Sequence, residues 1–260
     1  MVSILNSCHF DSLVEVFVSA YYNIKQFKEL LENFVNTKGL RREFLEIITN
    51  YTNNLKVQTL YKERVNFLPS LYQYDRRLGK YVWKSSIGSF FDTITSFKII
   101  QKTQCQSCNF YGHNSLSKLN VSVKDIHNTS LSKLIIQTLL LPVNKERPNN
   151  FCGNTHFLIS EFSLNSIVCL DVENNDNSLV NLDNLGSTIK IGKTKFVLVG
   201  VISFEEAMFQ NDFRHYAACC RDFYGSWKKW DSKNASKKAV TLTVDKQWFK
   251  AALIIYFEYQ

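Results

Sequence analysis

Three residues have types suited to covalent chemistry at a carbonyl: Cys8 near one end of the chain, and His215 and Asp231 near the other. The thiolate is the nucleophilic form of cysteine, and a helix N-terminus lowers a thiol pKa through its unsatisfied N–H groups and its dipole. An imidazole within hydrogen-bond reach accepts the thiol proton and later returns it to the leaving group. A carboxylate holds that imidazole in the required tautomer. Ser7 suits a helix N-cap, which puts Cys8 at the first helical position. His215 lies on a strand-like run, and Asp231 follows 16 residues later, a gap that fits a hairpin bringing both side chains to one face. Trp230 would shield the pair from water. Each residue also has a plainer reading. A lone Cys is often a small buried hydrophobe, His215 could be a satisfied sheet histidine, and Asp231 a turn residue. His9 adjoins Cys8 but points to a different helix face, which makes it a poor base; His113, His127 and His156 compete with His215.

A second constellation is Cys105-Gln106-Ser107-Cys108, which has the spacing of half a zinc site. Cys152 and His156 would complete a Cys3His set, with His113 as another candidate ligand. The alternative is a degenerate finger without metal. In either case the role is structural, and no cofactor enters the thiol chemistry. Cys219 and Cys220 should face opposite sides of a strand, one of them in the core, and Cys169 reads as core.

These groups must be positioned by elements that the hydrophobic pattern outlines. Phe10, Leu13, Val14, Phe17 and Tyr21 recur at helical spacing, so Ser7 to Tyr22 is expected to be an amphipathic helix. Two more helices are expected over Ile24–Asn36 and Leu40–Tyr51. In the middle, Ile87–Ser96 and Ser130–Leu141 read as helices, Phe97–Gln101 and Asn120–Val123 as strands, and Pro142 to Asn150 as a loop. The last hundred residues are β-rich: Ser166–Val172, Thr188–Ile191, Phe196–Phe204, His215–Arg221, Trp227–Asp231, Ala239–Val244 and Ala252–Tyr259, with turns at Gly192 and Tyr224-Gly225. Helices, then a Cys-containing insert, then antiparallel strands make an α+β chain.

Composition narrows the function classes. The chain has 260 residues, 45% of them hydrophobic and 14% aromatic, which is a globular composition. No apolar run reaches the roughly 18 residues of a membrane span. No basic segment followed by an apolar stretch marks a signal peptide, so an intracellular protein, cytoplasmic or nuclear, is expected. Seven cysteines then point to free thiols, metal ligands or catalysis over disulfides. The net charge of +8 (31 basic, 23 acidic) permits an acidic partner. The basic residues are dispersed, which disfavours nucleic acid; a zinc-stabilised nucleic-acid binder stays as an alternative.

Longer motifs carry a resemblance. Asn6-Ser7-Cys8-His9-Phe10-Asp11-Ser12-Leu13 resembles the Cys box of ubiquitin-specific proteases. Phe196 to Ser203, His215-Tyr216-Ala217-Ala218 and Gly225-Ser226-Trp227-Lys228-Lys229-Trp230-Asp231 resemble their His box, and Ala252 to Tyr259 is similar to the closing strand. Ile87-Gly88-Ser89-Phe90-Phe91 up to Cys108 resembles the segment feeding their fingers. The resemblance implies a single catalytic domain over 1–260 of papain-like fold: a helical thumb over 1–96, a Cys-containing fingers insert over 97–160 and an antiparallel β palm over 161–260. It implies Cys8 as nucleophile, His215 as general base and acid, and Asp231 as the orienting carboxylate of a monomeric cysteine isopeptidase acting on ubiquitin or a ubiquitin-like modifier. Tyr216, Trp230 and Asp212 would line the groove for the modifier's tail. The pattern departs at several positions. The family's oxyanion-stabilising Asn falls at Ser3, so Asn6 or the Cys8 backbone N–H would contribute. Arg214 replaces the Gly before the His, and the family's second Cys-x-x-Cys would need a Cys where Thr155 stands. Asp11, three residues after the Cys, is reminiscent of the SUMO-directed branch. Ubiquitin's basic tail is usually met by carboxylates, for which Glu161, Asp171, Glu205, Glu206 and Asp212 are candidates; acidic SUMO suits the positive charge, while the frequency of substrates in the family that the chain resembles favours ubiquitin. A binding-only pseudoprotease is the third reading.

Overall fold

The computed structural model describes residues 4–5, 7–33, 39–54, 57–83, 85–95, 98–104, 111–140, 158–164, 166–173, 178–205, 215–222, 224–231, 240–242 and 247–259. The chain begins with β1 (Ile4–Leu5), α1 (Cys8–Asn23), α2 (Lys25–Asn33), α3 (Leu40–Asn54) and α4 (Val57–Phe67), then β2 (Gln73–Asp75), β3 (Lys80–Val82) and α5 (Ile87–Ile94). Next come β4 (Ile99–Gln104), β5 (Tyr111–Leu116), β6 (Leu119–Ser122), α6 (Val123–Asn128), α7 (Leu131–Leu140), β7 (Leu158–Ser163) and β8 (Ile167–Glu173). The last part holds β9 (Val180–Asn181), α8 (Leu182–Leu185), β10 (Thr188–Ile191), β11 (Thr194–Glu205), β12 (His215–Arg221), β13 (Trp227–Trp230), β14 (Val240–Thr241), β15 (Trp248–Phe249) and β16 (Ala251–Tyr259).

An eight-stranded sheet organises the molecule, in the order β14-β13-β12-β11-β16-β8-β6 with β10 also on β11. Its central strands are apolar at successive positions because both faces are covered. On β16, Leu253, Ile255 and Phe257 belong to one core cluster and Ile254 and Tyr256 to the other. The first cluster joins the sheet to α1, α2, α3 and α5; the second lies on the opposite face, under α7 and α8. Cys220 and Cys219 fall into the two clusters respectively, on opposite faces as expected, but both are core rather than one of them, because each face of the sheet is covered; Cys169 is buried.

α1 is buried along most of its length rather than on one stripe, because it lies between the sheet and α3 and α5. Phe17 illustrates the packing: its ring meets Phe27, Phe44 and Phe257 edge-on at 5.4–5.9 Å. The close approach of α1 to β11 depends on Gly200, where an added Cβ would lie 2.7 Å from Val16 Cγ2 and 3.3 Å from the Cys219 carbonyl oxygen. Gly200→Ala is therefore expected to destabilise the fold by about 1–3 kcal/mol through overpacking. Thermal denaturation checks it, and Val16→Ala in the same chain should recover part of the loss.

Two expectations need correction. The first third contains a three-stranded sheet, β1-β3-β2, beside its helices, with β1 parallel to β3. The main sheet is antiparallel except at its edge, where β6 runs parallel to β8. The chain between them passes through α6 and α7, and a crossover of that length permits parallel pairing. A third sheet, β5-β4-β7, pairs Gln104 with Leu158, the residues bordering the two cysteine-containing segments.

Candidate active site

α1 delivers Cys8 at its first residue. Ser7 does not cap it in the expected way: its backbone is helical (φ −66°, ψ −8°) and its side chain makes no capping hydrogen bond. The hydroxyl instead donates to Asp11 Oδ2 at 3.2 Å and accepts from Arg64 Nη1 at 3.0 Å. Arg64, on α4, also bonds Asp11 Oδ2 at 2.9 Å, with both side chains largely buried. The carboxylate at Asp11 thus has its countercharge, and the start of α1 is clamped to α4.

Cys8 is only 4% exposed. Burial pushes its thiol up to about 11, while the backbone N–H of Tyr216 pulls the other way; the Asp11 charge adds to the rise, and the N–H groups of His9 and Cys8 itself oppose it. The helix N-terminus was expected to lower this pKa. It does contribute N–H groups, but desolvation outweighs them. The Tyr216 N–H puts the thiol beside the residue that follows His215.

His215 opens β12 and is buried. Its Nε2 lies 2.5 Å from Asp231 Oδ1. The β12–β13 hairpin accounts for this: Ala218 pairs with Trp230, so the next residue, Asp231, returns to the His215 end of β12. The turn between the strands uses Gly225 at φ +81°, a left-handed conformation that glycine adopts without cost. With Asp231 ionised, Nε2–H donates to the carboxylate and Nδ1 keeps its lone pair. α1 is tied to the same strand by the Ser12 hydroxyl, which donates to the Tyr216 carbonyl oxygen at 3.2 Å.

Tyr216 itself serves the site through its backbone. Its ring is buried against His9 at 4.8 Å and Phe204 at 5.7 Å, so it is core rather than groove lining. His9 is likewise buried. Trp230 is half-buried beside Asp231, and its indole N–H is enclosed with no hydrogen-bond partner among the described residues. His127 Nε2 contacts the Leu179 carbonyl oxygen at 2.9 Å, and His113 is exposed on β5, both remote in sequence from the Cys8 helix. Ser3, Asn6, Asp212, Cys105, Cys108, Cys152, His156, Arg214 and Glu206 lie outside the described residues.

Of the candidate carboxylates, Glu205 pairs with His215 across β11 and β12. Its Oε1 is taken by Lys229 Nζ at 2.8 Å and by the Ser203 hydroxyl at 2.8 Å. Asp171 is bound to Lys118 at 2.7 Å, and Glu161 sits on β7 opposite Lys102. Sequence reasoning missed Arg64 and Lys229. Arg64 lies on a helix whose apolar positions are too sparse to be read, and Lys229 becomes visible only through strand register.

No protein-family model matches the sequence, and neither does any curated protein. Solved structures do match over the whole chain. A SAGA DUB module of Ubp8, Sgf11, Sus1 and Sgf73 aligns with a TM-score of 0.59 at 12% identity, covering 100% of this chain and 68% of the matched one. The same module bound to monoubiquitin aligns at 0.57 and 15% identity, covering 100% and 69%. Bound to ubiquitin aldehyde it aligns at 0.54 and 13%, covering 100% and 70%. The α+β architecture that brings Cys8, His215 and Asp231 to one end of α1 is thus a fold shared with these Ubp8 modules.

Proposed function

We propose that this protein is a cysteine isopeptidase that removes ubiquitin or a ubiquitin-like modifier from proteins. The observation that carries the proposal is the 2.5 Å His215–Asp231 contact next to the strand position whose N–H meets the Cys8 thiol. The fold likeness to modules solved with ubiquitin supports the substrate class. In this reading the helices over 1–96 are the thumb, the β4–β5–β7 region the fingers, and the large sheet the palm.

The resting thiol, with its pKa about 11, is protonated at neutral pH. Attack therefore requires that His215 Nδ1 take the Cys8 proton as the sulfur bonds the isopeptide carbonyl carbon. Asp231 stabilises the imidazolium so formed. The collapsing tetrahedral intermediate expels the lysine amine, which takes the proton from His215, and leaves a thioester on Cys8. A water molecule, deprotonated by His215, then releases the modifier's C-terminal carboxylate. The Cys8 backbone N–H, with Asn6 or Ser3, would stabilise the oxyanion. Cys105, Cys108, Cys152 and His156 form a donor set suited to tetrahedral zinc, and the paired ends Gln104 and Leu158 border their segments. Such a zinc would hold the fingers together and take no part in the chemistry.

Two electrophilic probes test the proposal: ubiquitin and SUMO, each carrying a C-terminal propargylamide. A covalent adduct at Cys8 with one of them is expected, and its identity names the modifier. The net charge of +8 favours the acidic one. No adduct with either, from a sample that melts cooperatively, would replace the isopeptidase with a binding-only pseudoprotease, which the buried thiol would then explain.

A further inference from the structure

We propose that the far end of α1 carries a second binding site, for a small organic anion of the phosphate monoester or carboxylate class. A cavity of about 330 Å³ opens there, lined among others by Ser19 and Asn23 of α1, Lys195 and Val197 of β11, Arg221 of β12 and Tyr259 of β16. That volume is within the range of small-molecule sites. At a rise of about 1.5 Å per residue, Ser19 and Asn23 stand roughly 17–22 Å along the helix from Cys8, so this is not the candidate active site.

The charges lining the cavity are of one sign. Arg221 and Lys195 are there, and no carboxylate is among the described lining residues. The adjacent Asp222 is committed elsewhere: its carboxylate bonds Lys228 at 2.7 Å and accepts the N–H groups of Tyr224 and Ser226 at 2.9 Å. The Arg221 guanidinium is held over the Trp227 ring at 5.6 Å, and its Nε is enclosed without a hydrogen-bond partner among the described residues. Lys195 Nζ sits over the Tyr259 ring at 5.3 Å. The Ser19 hydroxyl is 4% exposed and lies against the Cys220 thiol, toward which it donates. Enclosed donors are costly unless something accepts from them. An anion does so for the Arg221 Nε–H, and a planar guanidinium fixed by stacking suits a carboxylate or phosphate in particular.

The C-terminus of α1 would by itself repel an anion. Two features offset it. Asn23 Nδ2 donates to the Ser19 carbonyl oxygen at 2.9 Å, and α2 starts at Lys25, so its positive end adjoins the negative end of α1. The apolar part of the lining, including Ile24, Val197 and Leu198, suits a ring or short hydrocarbon attached to the charge.

Titration calorimetry of the full chain with phenyl phosphate, benzoate and inorganic phosphate tests the site. Saturable binding of phenyl phosphate or benzoate with Kd near or below about 1 mM is expected. Arg221→Gln and Lys195→Gln should each weaken it by about tenfold or more, while Lys193→Gln, on the neighbouring turn, should not. Tighter binding of phenyl phosphate assigns a phosphate monoester, and tighter benzoate a carboxylate. Lys195 is exposed, so its variant keeps the test valid if Arg221→Gln fails to fold. Absence of saturation by either organic anion at about 10 mM, saturation by inorganic phosphate alone, or binding insensitive to both substitutions would overturn the proposal.

Discussion

Cys8→Ala is expected to lower hydrolysis of a modifier–fluorophore amide by about 10⁴-fold or more while leaving the fold in place. The asymmetry follows from what the sulfur does in each role. As nucleophile it forms the acyl intermediate, for which alanine has no substitute. As a packed atom it is one small member of a large cluster, and its loss costs about 1 kcal/mol. Asp231→Asn should behave differently. The amide can still orient the ring through Asp231's place at the hairpin end, but it supplies no charge to an imidazolium, so turnover should fall by about 10²-fold or more with KM little changed. Fluorescence assays on both variants, with melting curves alongside, separate these outcomes. Unchanged turnover in Cys8→Ala would eliminate the thiol mechanism altogether.

Glu15→Gln is expected to stabilise the protein at alkaline pH and to do nothing in acid. Glu15 lies in α1 one turn beyond Asp11. Burial pushes its carboxyl up from 4.5 to about 8, and the Asp11 charge adds to the rise. The folded chain thus holds a proton on Glu15 that the unfolded chain releases, so stability falls as pH rises through the window from 4.5 to about 8. Glutamine removes the ionisation. The variant should match the parent at about pH 4 and exceed it by on the order of 4 kcal/mol above pH 8. Urea denaturation across that range measures the difference, and parallel stability curves would show that Glu15 ionises normally. The group also bears on its neighbourhood: its charge contributes to the raised pKa of Tyr51.

The parts of the site that could be read in the sequence are those set by local pattern. α1 was legible from Phe10, Leu13, Val14 and Phe17, and the β12–β13 hairpin from its turn at Gly225 and the 16-residue gap to Asp231. Both depend on contacts a few residues apart. What was not legible depends on tertiary contacts. The hydrophobic period of α1 shows that it has an apolar face; it does not reveal that the rest of the helix is also covered, and that covering raises the Cys8 pKa. Ser7 has the residue type of an N-cap, yet Arg64 and Asp11 compete for its hydroxyl more strongly than the helix N–H groups do. Tyr216 adjoins the key histidine, but strand alternation turns its ring into the core. α4 went unread because Leu60 and Phe67, two turns apart on one face, have the charged Arg64 between them, which breaks the apolar stripe.

Gly200 touches α1 on one side while its strand pairs with β12 and β16, which lie later in the chain. This arrangement has a consequence for biosynthesis. The segment bearing the thiol leaves the ribosome before its partners: β11, the surface on which it must dock, is completed only at residue 205, and the flanking strand β16 ends at residue 259. At about 5–20 residues per second, Cys8 waits some ten seconds or longer before His215 and Asp231 can reach it. During that interval the thiol keeps an ordinary pKa near 9, lower than in the finished fold. Folding therefore protects the cysteine from stray oxidants and electrophiles, and the nascent chain, not the folded protein, is the form in which this thiol is most open to modification.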